Sequence, residues 1–417
     1  MKFLIEGGNK LSGKIAVQGS KNSVLPILAA TLLVDGKSVI HNCPRLSDVD
    51  AAIRILTDFG CAVTRENDTL TVDSTNAGNC RVSDLLSRRM RSSILFLAPA
   101  VSRFGKAQFS FPGGCEIGLR PIDLHLSSLR LLGADTDEKS GMLCCKAVNG
   151  FKGNRIHLTF PSVGATETVL LAAAVSKGTT VLTNAAREPE IVDLANFLNK
   201  AGARIFGAGE NAVIIVGAPA LNSIEYRVIP DRIVTATYLF CAAITGGEIE
   251  ITKTKPQLLE AVFPLLEETG CAVRRNKNTV FLSAPERLRP VRTVRTMPYP
   301  GFPTDLQSPV TALLCVADGT SVVTETIFEN RHKYIGELIR LGADIRTEGA
   351  TAIIGGVENL HGASVRATDL RGGFALVIAA LKADGKTVID NIYHIDRGYE
   401  TPERVLSSLG ANIKRIT

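Results

Sequence analysis

Leu56-Thr57-Asp58-Phe59-Gly60-Cys61-Ala62-Val63 closes a run with helical spacing, turns at a glycine and opens a β-prone segment. The phrase recurs as Leu129/Gly133, Leu198/Gly202, Leu266/Gly270, Leu338/Gly342 and Leu406/Gly410. Successive glycines stand 73, 69, 68, 72 and 68 residues apart. A glycine suits the position just past a helix end, where the chain turns left-handed and a Cβ is unfavourable. The leucine four residues earlier lies one turn back, on the face a helix buries. After the glycine come a small residue and a short strand pattern, as in Ala203-Arg204-Ile205, Cys271-Ala272-Val273 and Ala411-Asn412-Ile413.

A second element precedes this one in most copies. Ala29-Ala30-Thr31-Leu32-Leu33 runs through Gly36 into Lys37-Ser38-Val39-Ile40, and the same order holds from Ala172 through Gly178 to Leu182 and from Ala379 through Gly385 to Ile389. Small residues let helices approach closely, so these helices are expected inside their domain. Each unit is then a mixed α/β module of about 70 residues with two helices, longer than a solenoid repeat of about 20–50. Six units in 417 residues fit two domains of three, with a seam near Val228-Ile229-Pro230-Asp231. Pseudo-symmetric halves favour a cleft between them, where ligand sites tend to lie.

Composition narrows the function. The chain is 45% hydrophobic and 21% charged, which is globular. No apolar run reaches the about 18 residues that a membrane span needs. The start, Met1-Lys2-Phe3-Leu4-Ile5-Glu6, lacks the features of a secretory leader, so a cytoplasmic location is expected. Nine cysteines without a C-x-x-C pair argue against a zinc site or a disulfide framework, and for free thiols. With no tryptophan and 5% aromatics, stacking platforms for nucleic acid are scarce. Small anionic substrates account for the net charge of +6, as does a solvated basic surface.

Gly8-Asn9-Lys10-Leu11-Ser12-Gly13-Lys14 nearly spells a phosphate-binding P-loop, but Ile15 stands where a magnesium-holding hydroxyl is required and a strand follows. Phe111-Pro112-Gly113-Gly114-Cys115-Glu116-Ile117-Gly118-Leu119-Arg120-Pro121 cannot form a regular helix, so Cys115 is expected on a mobile surface loop. Beside Arg120 its thiol suits chemistry, although an incidental exposed cysteine satisfies the local sequence too. The other eight cysteines read as small buried hydrophobes. Cations gather at turns: Lys21 in Gly19-Ser20-Lys21-Asn22, then Arg88, Arg89 and Arg91, Arg371 in Asp369-Leu370-Arg371-Gly372-Gly373, and Arg397 in His394-Ile395-Asp396-Arg397-Gly398. Each is a solvated charge or an anion ligand, and their joint occurrence favours the second. In Phe302-Pro303-Thr304-Asp305 the Thr or Asp either caps a helix, or Asp305 is a base facing the cleft.

Pro112 to His125 closely resembles the active loop of the UDP-N-acetylglucosamine 1-carboxyvinyltransferase family. Gly19-Ser20-Lys21-Asn22, Ser162-Val163-Gly164-Ala165-Thr166, Ala186 to Asp193, Phe302 to Asp305, Thr326 to Arg331, Ala367 to Arg371 and Tyr393 to Tyr399 resemble it in the same order. The resemblance implies an α/β (α+β) fold of two inside-out α/β barrel domains, each of three repeats, with an interdomain active-site cleft. It implies domains of residues 21–229 and of 1–20 plus 230–417. The activity implied is transfer of the enolpyruvyl group of phosphoenolpyruvate to UDP-N-acetylglucosamine, the first committed step of peptidoglycan precursor synthesis. No metal, cofactor, nucleic acid, membrane or obligate protein partner is implied.

By resemblance, Cys115, Asp305, Lys21 and Arg397 are catalytic, and Cys115 is the thiol that fosfomycin alkylates. Lys21, Asn22, Arg91, Arg120, Arg371 and Arg397 would bind phosphoenolpyruvate. Asn22, Arg91, Arg120, Pro121, Ile122, Asp123, Leu124, Ser162, Val163, Gly164, Asp305 and Ile327 would bind the nucleotide sugar. Gly372-Gly373 replaces bulkier small residues usual in the family, which predicts a more flexible loop there, and His332-Lys333 is a further departure. A sister transferase acting on shikimate 3-phosphate lacks the cysteine loop. A non-catalytic nucleotide-sugar sensor would not need Lys21, Cys115, Asp305 and Arg397 together.

Overall fold

The structure, a computed structural model, describes residues 1–111, 122–139 and 141–417, with Arg89 described by its backbone alone. The repeated Leu–Gly phrase forms the same helix end six times. All six glycines have positive φ, from 91° at Gly270 to 119° at Gly202, and all six leucines are fully buried. The residue after each glycine donates its N–H to the leucine carbonyl at 3.0 or 3.1 Å. Each glycine N–H reaches the carbonyl next to it at 2.9 or 3.0 Å. The pair of bonds satisfies carbonyls that a helix end leaves without partners.

Every repeat contributes to a sheet of one strand order: a parallel neighbour, a hub strand, then two antiparallel strands. Leu221–Arg227 runs parallel to Val34–His41, which pairs antiparallel with Thr69–Asp73, itself beside Ala62–Glu66. Arg155–His157, Thr179–Thr183, Ala212–Val216 and Arg204–Phe206 repeat the order. So do Ser12–Ala16, Glu248–Thr252, Thr279–Ser283 and Ala272–Asn276. Thr293–Arg295, Thr320–Thr324, Thr351–Gly355 and Asp344–Glu348 follow it again. In the last repeat Lys2–Glu6, from the start of the chain, lies between Lys386–Asp390 and Asn412–Ile416, with Ser364–Arg366 as the parallel neighbour. In the remaining sheet, Lys106–Ser110, Met142–Lys146 and Asp135–Lys139, the parallel neighbour is an isolated bridge from Arg81 to Gln108.

The chain divides into two compact units. One comprises Met1–Gln18 and Pro230–Thr417, the other the described residues between Gly19 and Ile229. Each has its own apolar core. Strands bury alternate residues, so each sheet turns one face inward. The inner side is filled by helices that are buried all round: every residue of Arg232–Ile244 and Gln307–Leu314 is buried, and both pack on Leu370–Lys382. The alanine-rich helices Lys21–Ala30 and Val163–Ala173 are likewise inside the other unit. Helices inside and sheets outside is the inside-out α/β arrangement. Among the described residues no helix is long and apolar enough to cross a membrane.

Two expectations need correction. Gly372 and Gly373 lie in the buried first turn of helix Leu370–Lys382 and not in a loop. A Cβ on Gly372 would lie 2.5 Å from Asp369 Oδ2 and 2.9 Å from Tyr334 Cβ, and one on Gly373 would lie 2.8 Å from Ala367 Cβ. Close packing, rather than freedom of the backbone, explains the pair. Of the cysteines, Cys43, Cys61, Cys145, Cys241, Cys271 and Cys315 are buried, but Cys80 and Cys144 are half-exposed. Cys144 falls on the outward face because strand alternation sends its neighbour Cys145 into the core.

Candidate active site

In the unit of the described residues between Gly19 and Ile229, Lys21 opens helix Lys21–Ala30 and Asp48 lies in the first turn of Ser47–Asp58. Lys21 Nζ lies 2.8 Å from Asp48 Oδ2, with the side chains only 10% and 7% exposed. Asn22 is half-buried beside it. One residue on, Ser23 donates to Asp193 Oδ2 at 2.5 Å, and Tyr226 donates to Asp193 Oδ1 at 2.6 Å. Burial first, and then the Asp193 charge, push the Tyr226 hydroxyl far above its usual range, so it stays a donor. The start of this helix is therefore braced from two sides. Arg91 is half-buried at the head of the 3₁₀ turn Arg91–Phe96, which packs on the same helix.

Ile122 precedes helix Asp123–Leu131, and Ser162 precedes helix Val163–Ala173, where its hydroxyl accepts the Ala165 N–H at 3.3 Å. These starts are neighbours, because the His125 ring fills the space over Gly164. A Cβ there would come within 2.9 Å of His125 Cε1. The ring is fixed by a 2.7 Å hydrogen bond between Nδ1 and Thr168 Oγ1. Ile122, Asp123 and Leu124 are thus brought together with Ser162, Val163 and Gly164. Backbone N–H groups at such helix starts suit anions. Cys115, Arg120 and Pro121 lie outside the described residues.

In the other unit Asp305 lies in the 3₁₀ turn Thr304–Leu306, ahead of helix Gln307–Leu314. Its Oδ1 accepts from Arg331 Nη2 at 2.9 Å, and its Oδ2 from Arg371 Nη2 at 3.0 Å and Nε at 3.3 Å. Both arginine side chains are 2% exposed and the Asp305 side chain 27%. Burial alone would push the carboxyl up, but the guanidiniums of Arg371 and Arg331 hold it well below the usual carboxylate range. The residues at the two N-cap positions here, Pro303 and Leu306, make no side-chain cap. The Thr304 hydroxyl donates to Glu325 Oε2 at 2.8 Å. Glu325 Oε1 accepts the N–H of Ile327 at 2.8 Å and of Phe328 at 3.1 Å. Ile327 is half-buried.

Arg371 begins the helix that Asp369 caps, its Oδ1 accepting the N–H of Arg371 and Gly372 at 3.0 and 2.9 Å. The Arg371 guanidinium lies 5.3 Å from the Tyr399 ring centre, and among the described residues its buried Nη1 has no hydrogen-bond partner. Half-buried Arg397 ends the 3₁₀ turn Ile392–Arg397. Arg415 holds the preceding Asp396 at 2.7 and 2.8 Å. Gln18 clasps the following loop, donating to Gly398 O at 3.2 Å and accepting from Glu400 N at 2.8 Å. Gly398 abuts Leu370, and Tyr399 stacks on Phe374 at 3.8 Å, so the turn that ends at Arg397 packs on the helix start that carries Arg371.

Sequence reasoning assigned no part to Arg331, Glu325, Gln18 or Arg415. Arg331 ends the Thr326 to Arg331 stretch, where nothing in the adjoining sequence gives it a role. The others carry no local signal, since each is recognisable only by distant partners.

The family model described as EPSP synthase (3-phosphoshikimate 1-carboxyvinyltransferase) matches residues 5–406. The chain is 52% identical over 415 residues to the UDP-N-acetylglucosamine 1-carboxyvinyltransferase 2 of Caldanaerobacter subterraneus subsp. tengcongensis, covering 100% of this chain and 99% of that one. It is 46% identical to the UDP-N-acetylglucosamine 1-carboxyvinyltransferase of Geobacter metallireducens, with the same coverage. Among solved structures, the enolpyruvyl transferase NikO from Streptomyces tendae superposes with a TM-score of 0.89 at 26% identity, covering 99% of this chain and 98% of that one. EPSP synthase from Acinetobacter baumannii shares the fold at a TM-score of 0.76 and 19% identity, with 100% of both chains covered.

Proposed function

From the premise that this chain belongs to the enolpyruvyl transferase family, we propose that it moves the enolpyruvyl group of phosphoenolpyruvate to the 3-hydroxyl of UDP-N-acetylglucosamine and releases phosphate. The observation that carries the reading is the 46–52% identity over the whole chain to proteins named for that transfer. The sugar hydroxyl adds to C2 of phosphoenolpyruvate while C3 gains a proton. Loss of phosphate and of a C3 proton then restores the double bond in the product.

Both substrates are polyanions, and guanidiniums match carboxylate and phosphate geometry through paired N–H groups. Lys21, Asn22, Arg91, Arg120, Arg371 and Arg397 are the groups proposed for phosphoenolpyruvate. Asn22, Arg91, Ile122, Asp123, Leu124, Ser162, Val163, Gly164, Asp305 and Ile327, with Arg120 and Pro121, are proposed for the nucleotide sugar. Asp305 is the proposed base for the 3-hydroxyl, a role worth ~10²–10⁴-fold in rate. Held by two guanidiniums it is a weak base. A substrate anion that engages Arg371 Nη1 would compete for one guanidinium and raise the basicity of Asp305 when it is needed. Cys115 is the proposed acid or product-release thiol. The reading carries with it a cytoplasmic location and a part in peptidoglycan precursor synthesis.

The test is phosphate release from phosphoenolpyruvate with UDP-N-acetylglucosamine or shikimate 3-phosphate as acceptor. Release that depends on the nucleotide sugar supports the reading. Release only with shikimate 3-phosphate overturns the acceptor assignment. Binding of the nucleotide sugar without release of phosphate overturns the catalytic one.

A further inference from the structure

Glu325 is a 2% exposed carboxylate immediately after strand Thr320–Thr324, and its two oxygens serve different neighbours. Oε2 accepts the Thr304 hydroxyl at 2.8 Å, and Oε1 accepts the Ile327 and Phe328 N–H groups at 2.8 and 3.1 Å. Thr304 precedes Asp305 in the chain. Phe328 leads to Arg331, whose guanidinium lies 5.3 Å from the Phe328 ring centre and 2.9 Å from Asp305. The contacts close a circuit: Asp305, Thr304, Glu325, Phe328, Arg331 and back to Asp305. On its far side Thr326 is fixed to Thr296 by bonds of 2.9 and 2.6 Å.

We propose that Glu325 is a positioning residue for the acceptor side of the reaction, locking the Thr304-Asp305 turn to the Ile327-Phe328 segment. This rests on the reading above, in which Asp305 takes the hydroxyl proton and Ile327 touches the nucleotide sugar. A buried carboxylate is costly unless its oxygens are hydrogen-bonded, and here the bonds go to the two segments that carry those residues. An error of about 1 Å in such a segment costs on the order of 10²-fold in rate. Of the groups proposed for phosphoenolpyruvate, Lys21, Arg91 and Arg397 are not members of the circuit, and Arg371 meets it at Asp305, away from Glu325.

Steady-state kinetics with both substrates varied, beside thermal midpoints, test the role in Glu325→Ala, Glu325→Gln and Thr304→Val. Glutamine keeps an oxygen for both N–H groups and an amide that can donate to Thr304 Oγ1. We expect Glu325→Ala to lower kcat/KM for UDP-N-acetylglucosamine about 10–100-fold, with KM for phosphoenolpyruvate within about twofold. Glu325→Gln should stay within about threefold of the wild type, and Thr304→Val should fall between the two. Equal loss toward both substrates in parallel with a lowered midpoint, or a glutamine variant no better than alanine, overturns the proposal. If the alanine variant does not fold, unchanged kinetics in folded Thr304→Val overturn it. An active wild type with unaltered variants removes this inference alone. A wild type without sugar-dependent phosphate release removes the underlying reading and the inference with it.

Discussion

Replacing Asp305 with alanine removes three charge-assisted hydrogen bonds and leaves Arg331 and Arg371, each 2% exposed in its side chain, facing one another without their shared carboxylate. Removing one partner of a buried ion pair costs about 3–5 kcal/mol, mostly from the stranded charge. Because Asp305 itself is 27% exposed, water can reach the vacated position, which places the cost near the lower end, about 3 kcal/mol. The unit involved has about 200 residues, so its thermal midpoint should fall by about 6–12 °C at pH 7. Differential scanning calorimetry of wild type and variant reads this directly. Adding Arg331→Met should return part of the loss, since removing the charge along with its partner leaves less stranded. The folded-state pKa of Asp305 is depressed, so its contribution is present above the unfolded value near 3.9 and is lost as pH falls toward the folded value. The difference between wild type and Asp305→Ala should therefore be flat from about pH 5 to 9 and shrink below about pH 4. A midpoint shift under about 2 °C, or a difference that changes between pH 5 and 9, would refute the electrostatic account.

The same depressed carboxyl predicts a kinetic signature: kcat/KM for the nucleotide sugar should show no acid limb from Asp305 above about pH 5, because the free enzyme already holds the base ionised. A limb near pH 6 abolished by Asp305→Asn would contradict it. Gly342→Ala should cost more stability than Gly410→Ala, although both glycines have φ near 95°. The new Cβ at 342 would lie 2.6 Å from His361 Nδ1, whereas at 410 the nearest atom is Lys10 O at 3.8 Å. Calorimetry should place the first at least about 1 kcal/mol below the second. Burial pushes the Cys61 thiol up to about 11 and those of Cys145 and Cys315 up to about 12, so brief iodoacetamide treatment of native protein at pH 8 should spare all three in a peptide map. Cys115→Asp should keep phosphate release and escape fosfomycin; full sensitivity of that variant would remove Cys115 as the alkylated thiol.

The helix ends were legible because their requirement is local: a left-handed turn wants glycine, and the buried face wants leucine one turn earlier. That one phrase, repeated at Gly60, Gly133, Gly202, Gly270, Gly342 and Gly410, was enough for six mixed α/β units. Pairing that spans the chain left no such mark. Nothing in Lys2–Glu6 shows that it lies between Lys386–Asp390 and Asn412–Ile416. The charged cluster divides in the same way. Arg371 and Asp305 were each visible at a turn, but their bond joins residues 66 apart, and Arg331 reaches Asp305 across 26. Glu325 was invisible for the same reason, since its carboxylate has meaning only beside Thr304 and the N–H groups of Ile327 and Phe328. Gly372-Gly373 misled because a glycine pair permits motion or close approach equally, and only the positions of Asp369, Tyr334, Ala367 and Ile395 decide which.

The most direct test of the central claim is the identity of the product. Purified protein incubated with phosphoenolpyruvate and UDP-N-acetylglucosamine should convert the nucleotide sugar to a species whose mass has risen by one carboxyvinyl group, attached at the 3-oxygen by NMR, with one phosphate released per product. An unaltered nucleotide sugar, or a carboxyvinyl group found only on shikimate 3-phosphate supplied in parallel, would contradict the account.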